Sequence, residues 1–257
     1  MNNFLDILPV PAVFLGIVAT TWLAIEGGYR IGRKHLLRGS GGAAGSAAGI
    51  QGSILALLAF ILALTFNMAV TRFEARKKLV IREANAIGTC FLRAELLPVP
   101  LGGEVRTLLR EYVDVRVEVV HTLRLAEGIA RSEELQDQLW GMAVRASREN
   151  PESFAALLFT QSLNEVIDLH EQRVVAGIYD RLPGAILVVL YLVSMLAMLA
   201  VGYFLAADGT RRSVANLALV LAFALVAILI VDLDRPGTGV FTTSQQAMID
   251  LQTSMTR

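Results

Sequence analysis

The sequence predicts an all-α membrane protein, with four transmembrane helices and an extramembrane helical bundle between the second and third. Three observations predict this class. The 257 residues are 54% hydrophobic with a mean hydropathy of +0.56, above the apolar share of about 45–50% typical of soluble domains. The excess is gathered into four long runs almost free of charge, which is the pattern of bilayer spans. The stretch between the second and third runs, roughly a hundred residues, repeats its apolar positions at helical steps and nowhere alternates as a strand would.

Four regions follow: residues 1–70 with two spans and a linker, a bundle over 71–182, a transmembrane hairpin over 183–231 and a tail over 232–257. The first span is expected from Pro9 to Ile25, about 26 Å of helix, with two prolines near its start where a missing N–H is harmless. Asp6 and the absence of Lys or Arg before it argue against a cleaved secretory signal, so this run is read as a retained span. Arg30, Arg33, Lys34 and Arg38 follow it. Gly39 to Gly49 contains only Gly, Ala and Ser and reads as a flexible linker entering a helix. Gly45, Gly49 and Ser53 stand four apart, the spacing that permits close helix contact in lipid, although plain linker glycine explains them as well.

The second span, Ile50 to Val70, has no charged residue. It continues into Thr71-Arg-Phe-Glu-Ala-Arg-Lys-Lys without a breaker, so one helix is expected to leave the membrane and end near Leu97, before Pro98 and Pro100. Three more bundle helices are expected: Glu104 to Ala126, Ser132 to Arg148 with Ser132 as N-cap, and a last one to Arg181 with Pro151 in its first turn. Pro183-Gly184 marks the return to the membrane. The third span is read as Ala185 to Ala206 and the fourth as Val214 to Val231, joined by a short loop. The tail is expected to be partly ordered at most.

An even number of spans places both termini on one side. Counting Lys and Arg near span ends gives eight on that side, which also holds the bundle, and six on the other, so the positive-inside rule does not choose an orientation. Twenty-three basic residues balance 23 acidic ones, which excludes a nucleic-acid binder of the usual basic kind. Cys90, the single cysteine, can form no intrachain disulfide. His35, His121 and His170 lack a second ligand at metal-binding spacing, so neither a metal nor any other cofactor is expected. No nucleophile–base set or nucleotide loop is present, and no enzyme activity is expected.

Within the second span Phe60 and Leu64 share one helix face, and Asn67 is a polar group deep in the span. These fit either a pore lining or ordinary interhelix packing. Arg72, Arg76, Lys77 and Lys78 form a basic collar, suited to lipid phosphates at about 1 kcal/mol each or to concentrating anions. Glu83, with Asn85 and Arg93 nearby, reads as a structural ion pair or cap. Asp232, Asp234 and Arg235 read as a salt-bridged turn at the last membrane exit, with a cation or gating site as the alternative.

Arg72-Phe73-Glu74-Ala75-Arg76, then Glu83-Ala84-Asn85-Ala86-Ile87-Gly88-Thr89 and Leu97-Pro98, resemble the bestrophin-like family of bacterial membrane proteins. Asp232-Leu-Asp-Arg-Pro and Ser244-Gln-Gln fit the same family. Bestrophins proper are more distantly similar, and are pentameric channels whose second span lines the pore. That resemblance implies a homo-oligomer, pentameric by analogy, that passes an inorganic ion, with Phe60 and Leu64 in an apolar neck and Arg72-Phe73 at the membrane exit. Ala56 stands where a third bulky neck residue is expected, and no acidic run like the calcium clasp of animal bestrophins is present. The resemblance also implies a bacterial inner membrane, with bundle and termini cytoplasmic. The alternative is a non-conducting scaffold or sensor whose bundle binds a protein partner; a transporter ranks last, because the spans are little interrupted.

Overall fold

The computed structural model describes residues 8–37, 44–122, 124–207, 214–235 and 239–256. Among them the regular structure is helical throughout: α1 (Val10–Leu37), α2 (Ala44–Ala94), α3 (Leu101–Thr122), α4 (Leu125–Glu149), α5 (Phe154–Ile178), α6 (Gly184–Ala207), α7 (Val214–Asp234) and α8 (Gln246–Met255). Four of them, α1, α2, α6 and α7, are long and apolar enough to cross a membrane. The chain divides into two compact units: residues 1–72 with 181–241, and residues 73–180 with 242–257.

In the first unit α1 packs against both α6 and α7. The close crossing with α6 depends on glycine. A Cβ on Gly28 would fall on the Leu199 carbonyl oxygen, and one on Gly202 would fall on that of Ile25. Gly32 continues the seam, 2.6 Å from the Tyr203 oxygen to where its Cβ would stand. Lipid gives apolar helices no hydrophobic reason to associate, so this backbone proximity supplies the dispersion contacts that hold them. The small-residue seam therefore lies on α1 and α6; at Gly49 of α2, among the described residues, no atom beyond its own stretch of helix lies within 4 Å of a Cβ position. Span hydroxyls are satisfied within their own helices, as by Thr21 to Ile17 at 2.6 Å, Thr65 to Ile61 at 2.8 Å and Ser194 to Leu190 at 2.6 Å.

In the second unit the C-terminal part of α2 joins α3, α4, α5 and α8 around one core. Ile87, Leu109, Tyr112, Leu135, Leu139, Phe159, Leu163 and Met248 are fully buried in it. Gly128 lets α4 close onto Val119 of α3, because any side chain there would strike the valine methyls.

The expectation of one helix running out of span 2 holds: α2 is unbroken for 51 residues, about 75 Å. Other boundaries move. The first span's helix does not stop at Ile25 but carries Arg30, Arg33 and Lys34 in its last turns. Ser132 is not an N-cap; α4 starts at Leu125, and the buried Ser132 hydroxyl donates to the Gly128 carbonyl at 2.7 Å. Pro151 does not open α5. Asn150, extended as a residue before proline must be, closes α4, and the Ser153 hydroxyl caps α5 by accepting from the Ala156 amide at 3.2 Å. The tail is more ordered than expected, since α8 places Met248 and Met255 in the bundle core. The linker glycines before Ala44, the loop with Arg211 and Arg212, and Pro236-Gly237 lie outside the described residues.

Candidate functional site

Three clusters gather the polar and sequence-singled residues. The first is one face of α2. Phe60 is 61% exposed and Leu64 51%, and Ser53, Ala56, Ala63, Asn67 and Thr71 are exposed on the same helical stripe. The other side of the helix is packed, with Leu58, Thr65 and Ala69 buried at seven- and four-residue steps. The structure thus brings Phe60, Leu64 and Asn67 together on one open face. Below them the basic collar is divided: Arg72 and Phe73 are half-buried, Arg76 is buried, and Lys77 and Lys78 are exposed. Lys78 pairs with Glu74 at 3.9 Å, a surface contact of little energy.

The second cluster closes the last span, within the first unit. Asp232, Asp234 and Arg235 are all buried. The Asp232 carboxylate accepts from the Val240 amide at 3.0 Å and the Phe241 amide at 2.9 Å. Gly239 gives room for this, its Cβ position lying 2.5 Å from Asp232 Oδ1. Asp234 Oδ1 accepts from the Leu182 amide at 2.9 Å, and Arg235 donates to the Leu8 carbonyl at 3.0 Å. These carboxylates are therefore engaged by backbone amides, as in a helix cap, and the guanidinium ties the entry of the first span to the exit of the last.

The third cluster lies in the core of the second unit. Glu83 on α2, fully buried, pairs with Arg116 of α3 at 3.2 Å and with Arg173 of α5. The Tyr112 hydroxyl stands 3.3 Å from Glu83 Oε1 and 3.1 Å from His170 Nδ1, and it accepts from Gln136 Nε2 at 3.1 Å. Arg173 also donates to Gln245 Oε1 at 3.2 Å. Burial pushes the Glu83 carboxyl up, but Arg116 and Arg173 more than offset this and hold it below the ordinary carboxylate value. Burial, with Arg116 adding to it, pushes the His170 imidazole down to about 4, so it is neutral near pH 7. Glu83 is the ion-pair residue the sequence suggested, but its partners differ. Asn85 is exposed, and Arg93 donates to the Leu158 carbonyl at 2.9 Å. Gly88 of the same motif makes room for Leu251 of α8, at 3.3 Å from its Cβ position. Cys90 is buried and its thiol is pushed up to about 12 by burial, which leaves it inert.

The motif that singled out Glu83 and Gly88 thus maps onto the bundle core, and the Asp-Leu-Asp-Arg motif onto a buried turn. A family model described as the Bestrophin-like domain matches residues 48–248, most of the chain. The chain belongs to the bestrophin-like family. No curated protein and no solved structure matches it. This bestrophin-like protein is a multi-pass membrane protein with four apolar membrane-spanning helices. Its matched region takes in the α2 stripe, the Glu83 cluster and the Asp232 turn together.

Proposed function

We propose that this bestrophin-like protein is the protomer of a homo-oligomeric ion channel whose pore is lined by the open face of α2. The observation that carries the reading is the composition of that stripe. Lipid-facing positions favour large apolar side chains, such as the exposed Val188, Leu192 and Leu196 of α6. The α2 stripe instead interleaves Ser53, Ala56 and Ala63 with Leu57, Phe60 and Leu64, and adds the exposed amide of Asn67 within an uncharged span. A polar group at that position faces protein or water rather than hydrocarbon. Copies of the stripe around an axis would form an apolar constriction at Phe60 and Leu64, followed by rings of Asn67 and Thr71. Exposed Leu92, Leu96, Phe154 and Leu157 on the bundle support self-association. The family resemblance favours five copies in a bacterial inner membrane, with bundle and termini cytoplasmic.

Ion flux through liposomes holding the purified protein tests this, in chloride and in potassium gradients. Phe60→Ala removes a ring of benzyl groups from the neck and is expected to raise flux several-fold. No flux from either protein at verified insertion would leave the non-conducting scaffold as the reading.

A further inference from the structure

The buried cluster of the bundle ends on an atom that its own chemistry leaves open. His170 is 0% exposed, and its Nδ1 is engaged by the Tyr112 hydroxyl, while Nε2 is buried without a hydrogen-bond partner. Orphaned buried ring nitrogens are uncommon, because a polar atom taken out of water without a replacement hydrogen bond is destabilising. Two carboxylates stand beside the imidazole. Glu133 comes from α4, Glu171 from α5, and one ligand atom from each of Glu133, His170 and Glu171 lies within 4.8 Å of the others. Both glutamates are exposed, and neither has a cation within ion-pair distance among the described residues, whereas the adjacent Glu134 is paired with Arg131 at 2.5 Å.

We infer that His170 Nε2, Glu133 and Glu171 form a binding site for a first-row divalent transition metal such as Zn²⁺, clipping α4 to α5. One imidazole and two carboxylates suit zinc and its neighbours, which bind at about 2.0–2.2 Å and leave a further position to water at a solvent edge. The three ligand atoms lie within 4.8 Å of one another, and the two exposed glutamates have rotatable side chains to draw onto an ion. What lies behind the imidazole fits the role. A metal-bearing histidine usually donates its other ring N–H to an oxygen that fixes its orientation. Here Nδ1–H would donate to the Tyr112 oxygen, whose own O–H is free to donate to Glu83 Oε1. The tyrosine oxygen keeps its second lone pair for Gln136. Glu83 stays ionised through Arg116 and Arg173, so the chain from metal to carboxylate runs His170–Tyr112–Glu83 with every proton placed. Glu133 and Glu171 would neutralise the two charges of the ion. The inference does not depend on whether the protein conducts.

The test uses full-length protein in detergent, purified on a tag without histidines and stripped with a chelator. Calorimetric titration with Zn²⁺ is expected to give one ion per protomer. Co²⁺ is expected to give visible absorption bands of a nitrogen–oxygen site, competed away by Zn²⁺. Glu133→Gln and Glu171→Gln change exposed side chains and leave the fold intact, which metal-free melting checks. Each should weaken Zn²⁺ binding at least tenfold, while Glu134→Gln leaves it unchanged. His170→Gln should abolish the cobalt bands. Binding as tight in both Glu133→Gln and Glu171→Gln as in the parent protein overturns the inference, as does the absence of stoichiometric Zn²⁺ uptake by the parent.

Discussion

Replacing Glu83 by Gln should strongly destabilise the bundle. The substitution keeps shape and an acceptor for Tyr112, but it deletes the only carboxylate facing Arg116 and Arg173 among the described residues. Arg116 is buried and the Arg173 side chain is 13% exposed, so neither guanidinium reaches bulk water without moving. Removing one partner of a buried ion pair costs about 3–5 kcal/mol, chiefly because the other charge is stranded. For a helical unit of this size that lowers the melting temperature by on the order of 10–20 °C. The chain has two tryptophans, Trp22 in α1 and Trp140 in α4. In a Trp22→Phe background, fluorescence of Trp140 reports the bundle alone, in full-length protein in detergent. Adding Arg173→Gln to Glu83→Gln should recover part of the loss, because one stranded charge is then gone. A loss under about 1 kcal/mol would refute the reasoning, since it would mean both arginines relax to solvent at little cost.

Acid should weaken the bundle in a defined window. His170 is faced by Glu83, Tyr112, Arg116, Glu133, Glu171 and Arg173. Its folded value of about 4 lies below the ordinary 6.5, so the unfolded chain binds more protons between these, and stability falls as pH drops from 6.5 toward 4. At 1.36 kcal/mol per unit the loss reaches about 3 kcal/mol, and His170→Gln should flatten the slope in melts followed through Trp140. Glu83 acts in the same direction at lower pH, its contribution being present above 4.5 and lost as pH falls through its depressed folded value. Gly202→Ala should part α1 from α6 at about 1–3 kcal/mol, read by denaturant titration in micelles, because its methyl meets a backbone carbonyl that cannot rotate away. Asp232→Ala should strand two amides and speed hydrogen exchange at Val240 and Phe241, while exchange in the bundle core stays unchanged.

The sequence predicted the elements that rest on composition and period. Four uncharged runs became four apolar helices, and the breaker-free stretch after Val70 became a continuous helix. Helix starts in the bundle were less readable, because local cap signals compete. Ser132-Glu-Glu looks like an N-terminus, yet Gly128 allows α4 to begin a turn and more earlier against Val119. Helix α8 has no strong periodicity and only a weak start signal, the Ser244 hydroxyl accepting from the Gln246 amide at 3.3 Å; what fixes it is that two methionines fill the bundle core. Glu83 stood out in its motif, but its arginines come from α3 and α5, and helical spacing says nothing across helices. The same holds for His170, which Glu133 approaches from another helix.

Helix α8 also sets an order of events during biosynthesis. Residues 73–180 emerge before α6 and α7, yet the core they surround is completed by Met248 and Met255. The Arg110 guanidinium waits for the Met255 carbonyl at 2.9 Å, Asp114 for Gln252 at 2.8 Å, and Gly88 for the methyl of Leu251. Until two further spans have been translated, the nascent bundle holds an open apolar slot. Its final packing is therefore a report that the later spans have been made, and a chain truncated before Thr242 would present that slot to chaperones and proteases instead.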